Sequence, residues 1–337
     1  MNARLTVNQG RTAARRPTGR AAGASALCMG IGAGAYLAGG AATGTLCAAQ
    51  PVLRVCYAGS MGAVMERKIF PAFRGLTGIA VRGMGRGAFG LARELAAGEL
   101  TADVFISVTS GPLKLLPRKL PAAPAVPIAR TCMVLAYCPH GPATKLFRAA
   151  REPWYSIILH NHLLFGRTDP RTDPQGRSTI LALKLAQRYY NQPGLEAKIA
   201  GRLENPAQIF TESSLMFRLQ SGQMDACITY QSQAAANHLP FISLPRQVNL
   251  GYPEMDKAWY RHVEFQLPAA NGKPQVCRAS PLVFYAVILR DKARQHETRR
   301  HEARRFVQFL RSRACRRMLV KAGYKPIGGR RAGKPGT

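Results

Sequence analysis

The chain has 337 residues, of which 47% are apolar, with 48 Lys and Arg against 17 Asp and Glu, and with eight cysteines. This length and apolar fraction exclude a disordered chain, and so few cysteines exclude a small disulfide-built scaffold. The formal net charge of +31 favours anionic partners, from small anions to nucleic acids and membrane surfaces, but says little about the fold.

The first 49 residues have the pattern of an export signal. They contain no acidic residue, place five arginines before residue 21, and then run without charge to Gln50. Cys47-Ala48-Ala49 offers an imperfect small-x-small cleavage site. We therefore expect residues 1–49 to be a signal peptide, with an uncleaved membrane anchor as the alternative. The mature protein is then expected to be periplasmic or extracytoplasmic.

Short apolar runs and helical segments alternate after this N-terminal segment. Val52–Tyr57, Ile79–Arg82 and Asp103–Val108 predict three strands with helices between them. This order predicts a mostly parallel sheet with ligand-binding loops at the carboxyl ends of its strands. A proline-rich stretch, residues 117–127, reads as a linker, and a second block of similar pattern extends to a predicted strand at Ala226–Tyr230.

The last block predicts a strand at Pro281–Leu289 and a helix from about Glu302 to Arg313, whose Phe306, Phe309 and Leu310 share a face. Such a block can complete the first lobe. We therefore expect two α/β lobes. The predicted boundaries are 1–49 for the signal, 50–130 and 243–327 for the first lobe, 131–242 for the second, and 328–337 for a basic tail.

Six cysteines fall in the mature chain, and none belongs to a C-x-x-C pair. Export would permit disulfides, whose connectivity the sequence does not specify. Burial as small apolar residues is the favoured interpretation. The six are Cys56, Cys132, Cys138, Cys227, Cys277 and Cys315.

Three loops place small or hydroxyl residues just after predicted strands, at Gly59-Ser60, Gly87-Ala88 and Ser107-Val108-Thr109. Their free N–H groups and short hydroxyls are the donors that oxyanions need, without an opposing full charge. Two enzymatic or nucleotide-binding interpretations of these loops are weaker. The glycine pattern of Gly85–Gly90 fits a dinucleotide site, but Asp103 opens the following strand instead of closing it. Ser60 is placed like a nucleophile after a strand, but no Ser-His-acid order can be assigned.

Five segments carry a more specific signal, and they occur in one order along nearly the whole mature chain. They are Tyr57–Ser60, Gly85–Ala88, Ala102–Ser107, Phe165–Gly176 and Leu244–Gly251. Together they resemble the molybdate/tungstate-binding proteins of ABC importers, especially the archaeal-type tungstate binders and their bacterial relatives. The resemblance runs from about Val52 to Tyr324.

This resemblance implies a type II periplasmic binding protein fold. Two α/β lobes, each a mostly parallel sheet flanked by helices, would hold the oxyanion in the cleft between them. The ligand-binding residues that it implies, together with the hydroxyl that Thr229 can add, are Gly59, Ser60, Gly87, Ala88, Ser107, Thr229 and Tyr230.

In the archaeal-type branch, two carboxylates from the second lobe also approach the metal of the oxyanion. Asp173 matches the first of them, whereas Thr229 stands where the second, a Glu before Tyr, is expected. The loss of that carboxylate puts six-coordinate tungsten in doubt. Asp173 has two alternative roles, since it could cap the helix after Gly176 or form an ion pair. Its possible ion-pair partners are Arg167, Arg171 and Arg177.

We therefore expect an exported, monomeric, non-enzymatic receptor that captures molybdate or tungstate and delivers it to an ABC permease. It would need no cofactor besides this ligand and no nucleic acid. Sulfate, phosphate or an organic anion on the same fold stays open as an alternative. From another class, a basic nucleic-acid-binding protein also stays open, with the charge in its favour and the export signal against it.

Overall fold

The computed structural model describes residues 52–149, 151–268, 274–290 and 297–327. The expected signal peptide and the basic tail lie outside the described residues. Within the described ranges, no helix combines the length and the apolar character needed to cross a bilayer.

A five-stranded sheet forms the centre of the first lobe. Its strands are β1 (Leu53–Ala58), β2 (Val81–Arg86), β3 (Val104–Val108), β4 (Val126–Arg130) and β11 (Val283–Ile288). The spatial order is β2-β1-β3-β11-β4. β1 pairs in parallel with β2 and β3, whereas β11 runs antiparallel to β3 and β4.

Helices cover this sheet on its flanks. They are α1 (Gly62–Val64), α2 (Phe70–Thr77), α3 (Ala88–Ala97), α10 (Glu297–Arg311) and α11 (Arg313–Lys321). A 3₁₀ turn at Gly59–Met61 precedes α1, a π-helical turn at Met65–Ile69 joins α1 to α2, and a further 3₁₀ turn spans Pro112–Leu115.

The aromatic side chains of α10 hold it against α2. Phe306 and Phe309 pack on Phe73 with ring centroids 5.0 and 5.6 Å apart. Both rings are buried, as is Leu310, so the apolar face predicted for this helix is confirmed.

The second lobe contains a four-stranded sheet. Its strands are β5 (Met133–Tyr137), β6 (Phe165–Gly166), β7 (Ala226–Tyr230) and β8 (Phe241–Ser243), in the order β6-β7-β5-β8. Its helices are α4 (Pro142–Ala149), α5 (Trp154–His160), α6 (Pro174–Tyr189), α7 (Leu195–Ala200), α8 (Glu212–Gln220) and α9 (Gln231–Ala236).

A separate hairpin follows the second lobe in the chain. It consists of β9 (Glu264–Leu267) and β10 (Gln275–Arg278), which pair antiparallel. Two 3₁₀ turns, Pro253–Met255 and Tyr260–His262, lead into it.

The two lobes are joined where three chain segments run side by side. Thr131 N–H donates to Leu282 O, Leu282 N–H to Leu250 O, and Met133 N–H to Asn249 O. Arg130 and Lys325 exchange backbone hydrogen bonds at 2.8 Å next to them. These crossings give a hinge of the kind expected for a two-lobed binding protein.

Both sheets are mixed rather than mostly parallel. In the second lobe only β6 and β7 are parallel, and β5 pairs antiparallel with β7 and β8. The strand directions are mixed because the chain crosses between the lobes. A segment that returns from the other lobe enters the sheet in the direction opposite to the strands already there, as β11 does beside β3.

Three predicted boundaries also change. β2 continues through Gly83 and Gly85, because the Tyr57 ring lies against β2 where a Cβ at Gly85 would be. The proline-rich stretch is no free linker, since Ala122 N–H donates to Ile288 O of the first sheet. The C-terminal helix ends at Arg311, because the Ser312 side chain accepts a hydrogen bond from Cys315 N–H and starts a new helix.

The six cysteines within the described residues are all free and buried. They pack as small apolar side chains, as the favoured interpretation expected.

Candidate functional site

The turn after β1 brings an unpartnered hydroxyl to the cleft between the lobes. Ser60 is 5% exposed, and its Oγ has no hydrogen-bond partner among the described residues. The turn itself is held from the far end of the chain, since Tyr324 Oη donates to Ser60 O at 3.1 Å. Buried polar groups in native proteins are normally paired, so a lone buried hydroxyl at a cleft indicates a binding position.

The first turn of α3 meets the second lobe directly. Gly87 is the N-cap residue, and the Phe89 and Gly90 N–H groups donate to Thr172 O at 3.1 and 3.2 Å. A Cβ at Gly87 would lie 2.8 Å from the same oxygen. The Ala88 N–H precedes these donors and is also one of the N–H groups that a helix start leaves free of internal acceptors. The lobes are therefore closed on each other at this point, with glycine at the closest approach.

Asp173 faces the same cleft from the second lobe and caps α6. Its Oδ1 accepts a hydrogen bond from Gln175 N–H at 2.8 Å, and the helix starts at Pro174 rather than after Gly176. The side chain is 5% exposed. Burial raises the pKa of Asp173 to about 7, against the opposing effect of the Gln175 N–H.

The three arginines considered as partners of Asp173 all bind elsewhere. Arg167 donates to the carbonyls of Arg202 and Leu203, Arg171 to the Asp169 carboxylate, and Arg177 to Pro170 O. Of the two alternatives to a ligand role, the structure therefore contains the cap and not the ion pair.

Glu212 is the functional candidate that the sequence reasoning missed. It is the first residue of α8, after the Thr211 N-cap, and it is 8% exposed with no partner for its Oε2 among the described residues. It also reaches the first lobe, because a Cβ at Gly59 would clash with its carboxylate. Burial and the nearby Asp173 charge raise its pKa well above the ordinary value, although the Ser60 N–H opposes this.

The local sequence around Glu212 does not indicate a ligand-binding role. An acidic residue after a threonine at the start of a helix is the ordinary pattern of a capped helix whose dipole favours negative charge. Only the contact with Gly59 identifies it as a cleft residue.

The remaining residues of the predicted site divide into two groups. Tyr230 is fully buried with an unpartnered Oη, and burial raises its pKa, with the Asp173 and Glu212 charges adding to the effect. In contrast, Thr229 Oγ1 donates to Gln233 Oε1 at 2.6 Å, and Ser107 Oγ donates to Val108 O at 3.1 Å. Both hydroxyls therefore already donate hydrogen bonds within their own lobes.

The side chain of Gln175 is a further unpartnered group near the cap. It is fully buried, and neither its Oε1 nor its Nε2 has a hydrogen-bond partner in the described part of the chain. No feature of the sequence distinguishes it from an ordinary residue of the first helical turn.

A cavity of about 600 Å³, which we call the cleft cavity, lies between the lobes, and of the groups described above Gly87, Asp173 and Glu212 line it. Gly59 and Gly87 line it from the first lobe, and Thr168, Asp173 and Glu212 from the second. Among the described residues, no Lys or Arg nitrogen lies within 4.0 Å of either buried carboxylate. Arg86, Glu94 and Asp169 also line the cavity, but Arg86 pairs with Glu94, so the two buried acids have no counter-ion among the described residues.

This combination limits the chemistry of the ligand. A buried carboxyl that keeps its proton donates a hydrogen bond, whereas an ionised one can bind an electron-poor centre. Within the described ranges, no three His, Cys, Asp or Glu side chains come together as a cation site would require.

Comparison with known proteins places this geometry in context. The sequence model of bacterial extracellular solute-binding proteins matches residues 53–325. The chain is similar to molybdate/tungstate-binding proteins of Thermococcus kodakarensis, 28% identical over 198 residues, and Pyrococcus abyssi, 29% over 181. The alignments cover 53% and 48% of this chain and only about half of each relative, 53% and 50%.

Solved structures share the fold at low sequence identity. The periplasmic molybdate-binding protein of Azotobacter vinelandii superposes with a TM-score of 0.55 at 15% identity, covering 82% of this chain and 100% of its own. The sulfate-binding protein of Mycobacterium tuberculosis gives 0.51 at 14% identity, covering 82% and 87%. The two-lobed periplasmic binding protein fold expected from the sequence is thereby confirmed.

Proposed function

Because the chain belongs to the bacterial extracellular solute-binding proteins, we propose that it captures molybdate or tungstate outside the cytoplasm and delivers it to an ABC permease. It acts as a monomer, without catalysis, and without a cofactor besides the ligand. Its partners are the oxyanion and the permease rather than a nucleic acid. The similarity to molybdate/tungstate-binding relatives supports the choice of ligand.

The observation that carries this proposal is the pair of buried carboxyl groups, Asp173 and Glu212, beside the unpartnered Ser60 hydroxyl. Glu212 supplies the second carboxylate that was expected at position 229, but from the start of α8 instead of from β7. Burial raises the pKa of both acids, and the Asp173 charge raises that of Glu212 further, so without a ligand the pair favours a state that holds protons.

Two acids discriminate between oxyanions of the same charge. The molybdenum or tungsten of an oxyanion can accept an additional carboxylate oxygen, whereas the sulfur of sulfate cannot. Sulfate, molybdate and tungstate all carry no proton at neutral pH, so an ionised carboxylate repels each of them, and only a metal centre that accepts the carboxylate oxygen compensates for this repulsion. Protonated phosphate is the strongest competitor, since it can donate to a carboxylate acceptor.

The neutral donors complete the proposed set. Ser60 Oγ, Tyr230 Oη and the Gln175 amide are buried donors that have no other partner among the described residues. The Ala88 N–H adds the positive end of the α3 dipole. Donors from both lobes would bind one ligand, so the ligand stabilises the closed arrangement. The permease would recognise this closed form.

Titration calorimetry with molybdate, tungstate, sulfate and phosphate tests this proposal on the wild type and on Glu212→Gln, Asp173→Asn and Ser60→Ala. We expect molybdate or tungstate to bind most tightly, and each variant to bind at least about tenfold more weakly. Glu254→Gln is the control, because that glutamate is 58% exposed in an ion pair with Arg246. Tight sulfate or phosphate binding with no response to molybdate or tungstate would overturn the choice of ligand and leave the fold untouched.

A further inference from the structure

A second cavity of about 560 Å³ lies between the lobes and shares no lining residue with the cleft cavity. We call it the Arg177 cavity. Phe89 and the loop residues Thr109 and Lys114 line it from the first lobe, the start of α6 lines it from the second, and β10 of the hairpin forms a third wall. Its volume falls within the roughly 300–1,000 Å³ of small-molecule sites in proteins.

The central feature of this cavity is a buried cation to which the described residues supply no counter-ion. Arg177 is 8% exposed. Its Nε donates to Pro170 O at 2.7 Å, its Nη2 donates to Gln275 Oε1 at 3.0 Å, and its guanidinium carbon lies 3.4 Å from the Phe89 ring centroid. In the described ranges, no carboxylate oxygen comes within 4.0 Å of the guanidinium.

A charge in this position is costly unless an anion comes close. Burial of an unpaired ion carries a large desolvation penalty, and here burial lowers the pKa of Arg177 from its ordinary value. Hydrogen bonds to neutral carbonyls and a stacked ring reduce that penalty but supply no opposite charge. An anion in the cavity would supply it.

The rim of the cavity extends the positive charge. Lys114, Arg261 and Arg278 line it together with Arg177, whereas Asp256 is the one acidic side chain of the lining. Arg261 is paired with Asp256 at 2.7 Å and Arg278 with Glu264 at 2.7 Å, so Lys114 and Arg177 are the cations of the lining without an ion pair to a described residue.

Part of the remaining wall is apolar, which sets the kind of anion that fits. This part includes Leu115, Leu181, Leu250 and Val276. A bare inorganic ion would leave this apolar surface uncovered, whereas a molecule with a small carbon skeleton would bury it.

We infer that the Arg177 cavity is a second binding site, specific for a small organic anion that carries a carboxylate or phosphate group. The anionic group binds Arg177 and Lys114, and the carbon skeleton packs on the leucines. Because the walls come from both lobes, this ligand stabilises the closed arrangement and so increases the affinity of the cleft for the oxyanion. By linkage, the oxyanion increases the affinity of the Arg177 cavity for the organic anion by the same factor. The inference does not depend on which oxyanion the cleft binds.

Calorimetric titration with citrate, which carries carboxylates, and with glycerol 3-phosphate, which carries a phosphate, shows which of the two anionic groups the cavity binds. We expect at least one of them to bind the wild type, and Arg177→Gln to weaken that binding about tenfold or more, as expected for loss of a charge-assisted hydrogen bond. Arg188→Gln is the matched control. Arg188 belongs to the same helix and also stacks on a ring, that of Trp259 at 4.2 Å, but it does not line the cavity.

A rim variant keeps the test valid if Arg177→Gln fails to fold. Arg278→Gln removes a side chain that is 61% exposed, so we expect normal folding and a smaller loss of about threefold. Thermal unfolding checks the fold of each variant. Cys277 gives a second readout, because it is buried in the cavity lining and a bound probe should slow its reaction with a thiol reagent.

Two results would overturn the inference. One is that neither citrate nor glycerol 3-phosphate binds the wild type or protects Cys277. The other is that the folded Arg177 and Arg278 variants bind the probes as tightly as the wild type does. Molybdate binding in the same samples reports on the cleft separately, so failure of this site and failure of the proposed function are distinguishable.

Discussion

Two acidic side chains that water does not reach define the chemistry of the cleft. Asp173 and Glu212 come from the starts of two different helices, and each faces a glycine-containing turn of the opposite lobe. A carboxyl group removed from water holds its proton more strongly, and a second acid nearby increases the effect. At neutral pH the ligand-free closed form therefore holds protons that the unfolded chain releases.

This difference predicts a pH dependence of stability. The Asp173 pKa is about 7 in the fold against 3.8 ordinarily, and that of Glu212 is also raised, so the native state binds more protons than the unfolded state above pH 4. The free energy of unfolding should then fall as pH rises from about 4 to about 7, by up to ~1.4 kcal/mol per pH unit for each fully titrating group. Urea unfolding of the ligand-free protein at several pH values measures this slope.

The substitution Glu212→Gln isolates one of the two groups. Its amide cannot titrate, so the slope should become smaller in this variant, whereas Glu254→Gln should leave it unchanged because Glu254 is solvent-exposed. An unfolding free energy that rises over this pH range, or an unaltered slope in Glu212→Gln, would mean that the carboxylates are ionised in the fold.

At the scale of elements, closure depends on how near the α3 N-terminus can come to the loop before α6. Gly87 has φ −54° and ψ 118°, which alanine adopts without strain, so the glycine is not needed for its backbone angles. It is needed for space, because the nearest atom to a Cβ there is the backbone oxygen of Thr172.

We therefore expect Gly87→Ala to hold the lobes apart and to weaken oxyanion binding by roughly tenfold or more, through loss of hydrogen bonds that form only on closure. Gly90→Ala is the control, since no heavy atom lies within 4 Å of a Cβ at that position. Calorimetry measures the affinity, and small-angle scattering measures the contraction on addition of molybdate. A Gly87→Ala protein that contracts and binds like the wild type would contradict this account of closure.

Some strands of this fold can be predicted from the sequence and others cannot. β1, β3 and β7 were predictable because each is a short run of apolar residues buried on both faces. β2 was not, because its two glycines have the pattern of a loop, and only the Tyr57 ring packed over them accounts for the strand. In the site, Ser60 and Asp173 followed from family motifs, whereas Glu212 depends on a tertiary contact that no local pattern encodes.

For the molecule as a whole, the dominant property is its positive charge. The described surface of α10 and α11 contributes exposed arginines, including Arg304, Arg305, Arg316 and Arg317. In the cleft, no described cation lies within ion-pair distance of Asp173 or Glu212. Charge at a distance from the site cannot bind the ligand, but it raises the local concentration of anions around the protein.

This separation predicts an effect on rates. The association rate constant of tungstate should fall as ionic strength rises from about 0.01 to 0.15 M, because the screening length shortens from roughly 30 Å to about 8 Å. The dissociation rate, set by short-range hydrogen bonds, should change little. Stopped-flow fluorescence measures both. An association rate that does not vary with salt would show that the surface charge has no role in capture.

The hydrogen bond from Tyr324 to the Ser60 turn, together with β11 between β3 and β4, has a consequence for biogenesis. The first lobe lacks a central strand, and its ligand turn lacks a support, until the last part of the chain is in place. A polypeptide made only as far as β10 therefore cannot hold a ligand in the cleft. Capture requires the segment from Val283 to Tyr324, so ligand binding follows the folding of the first lobe and cannot precede it.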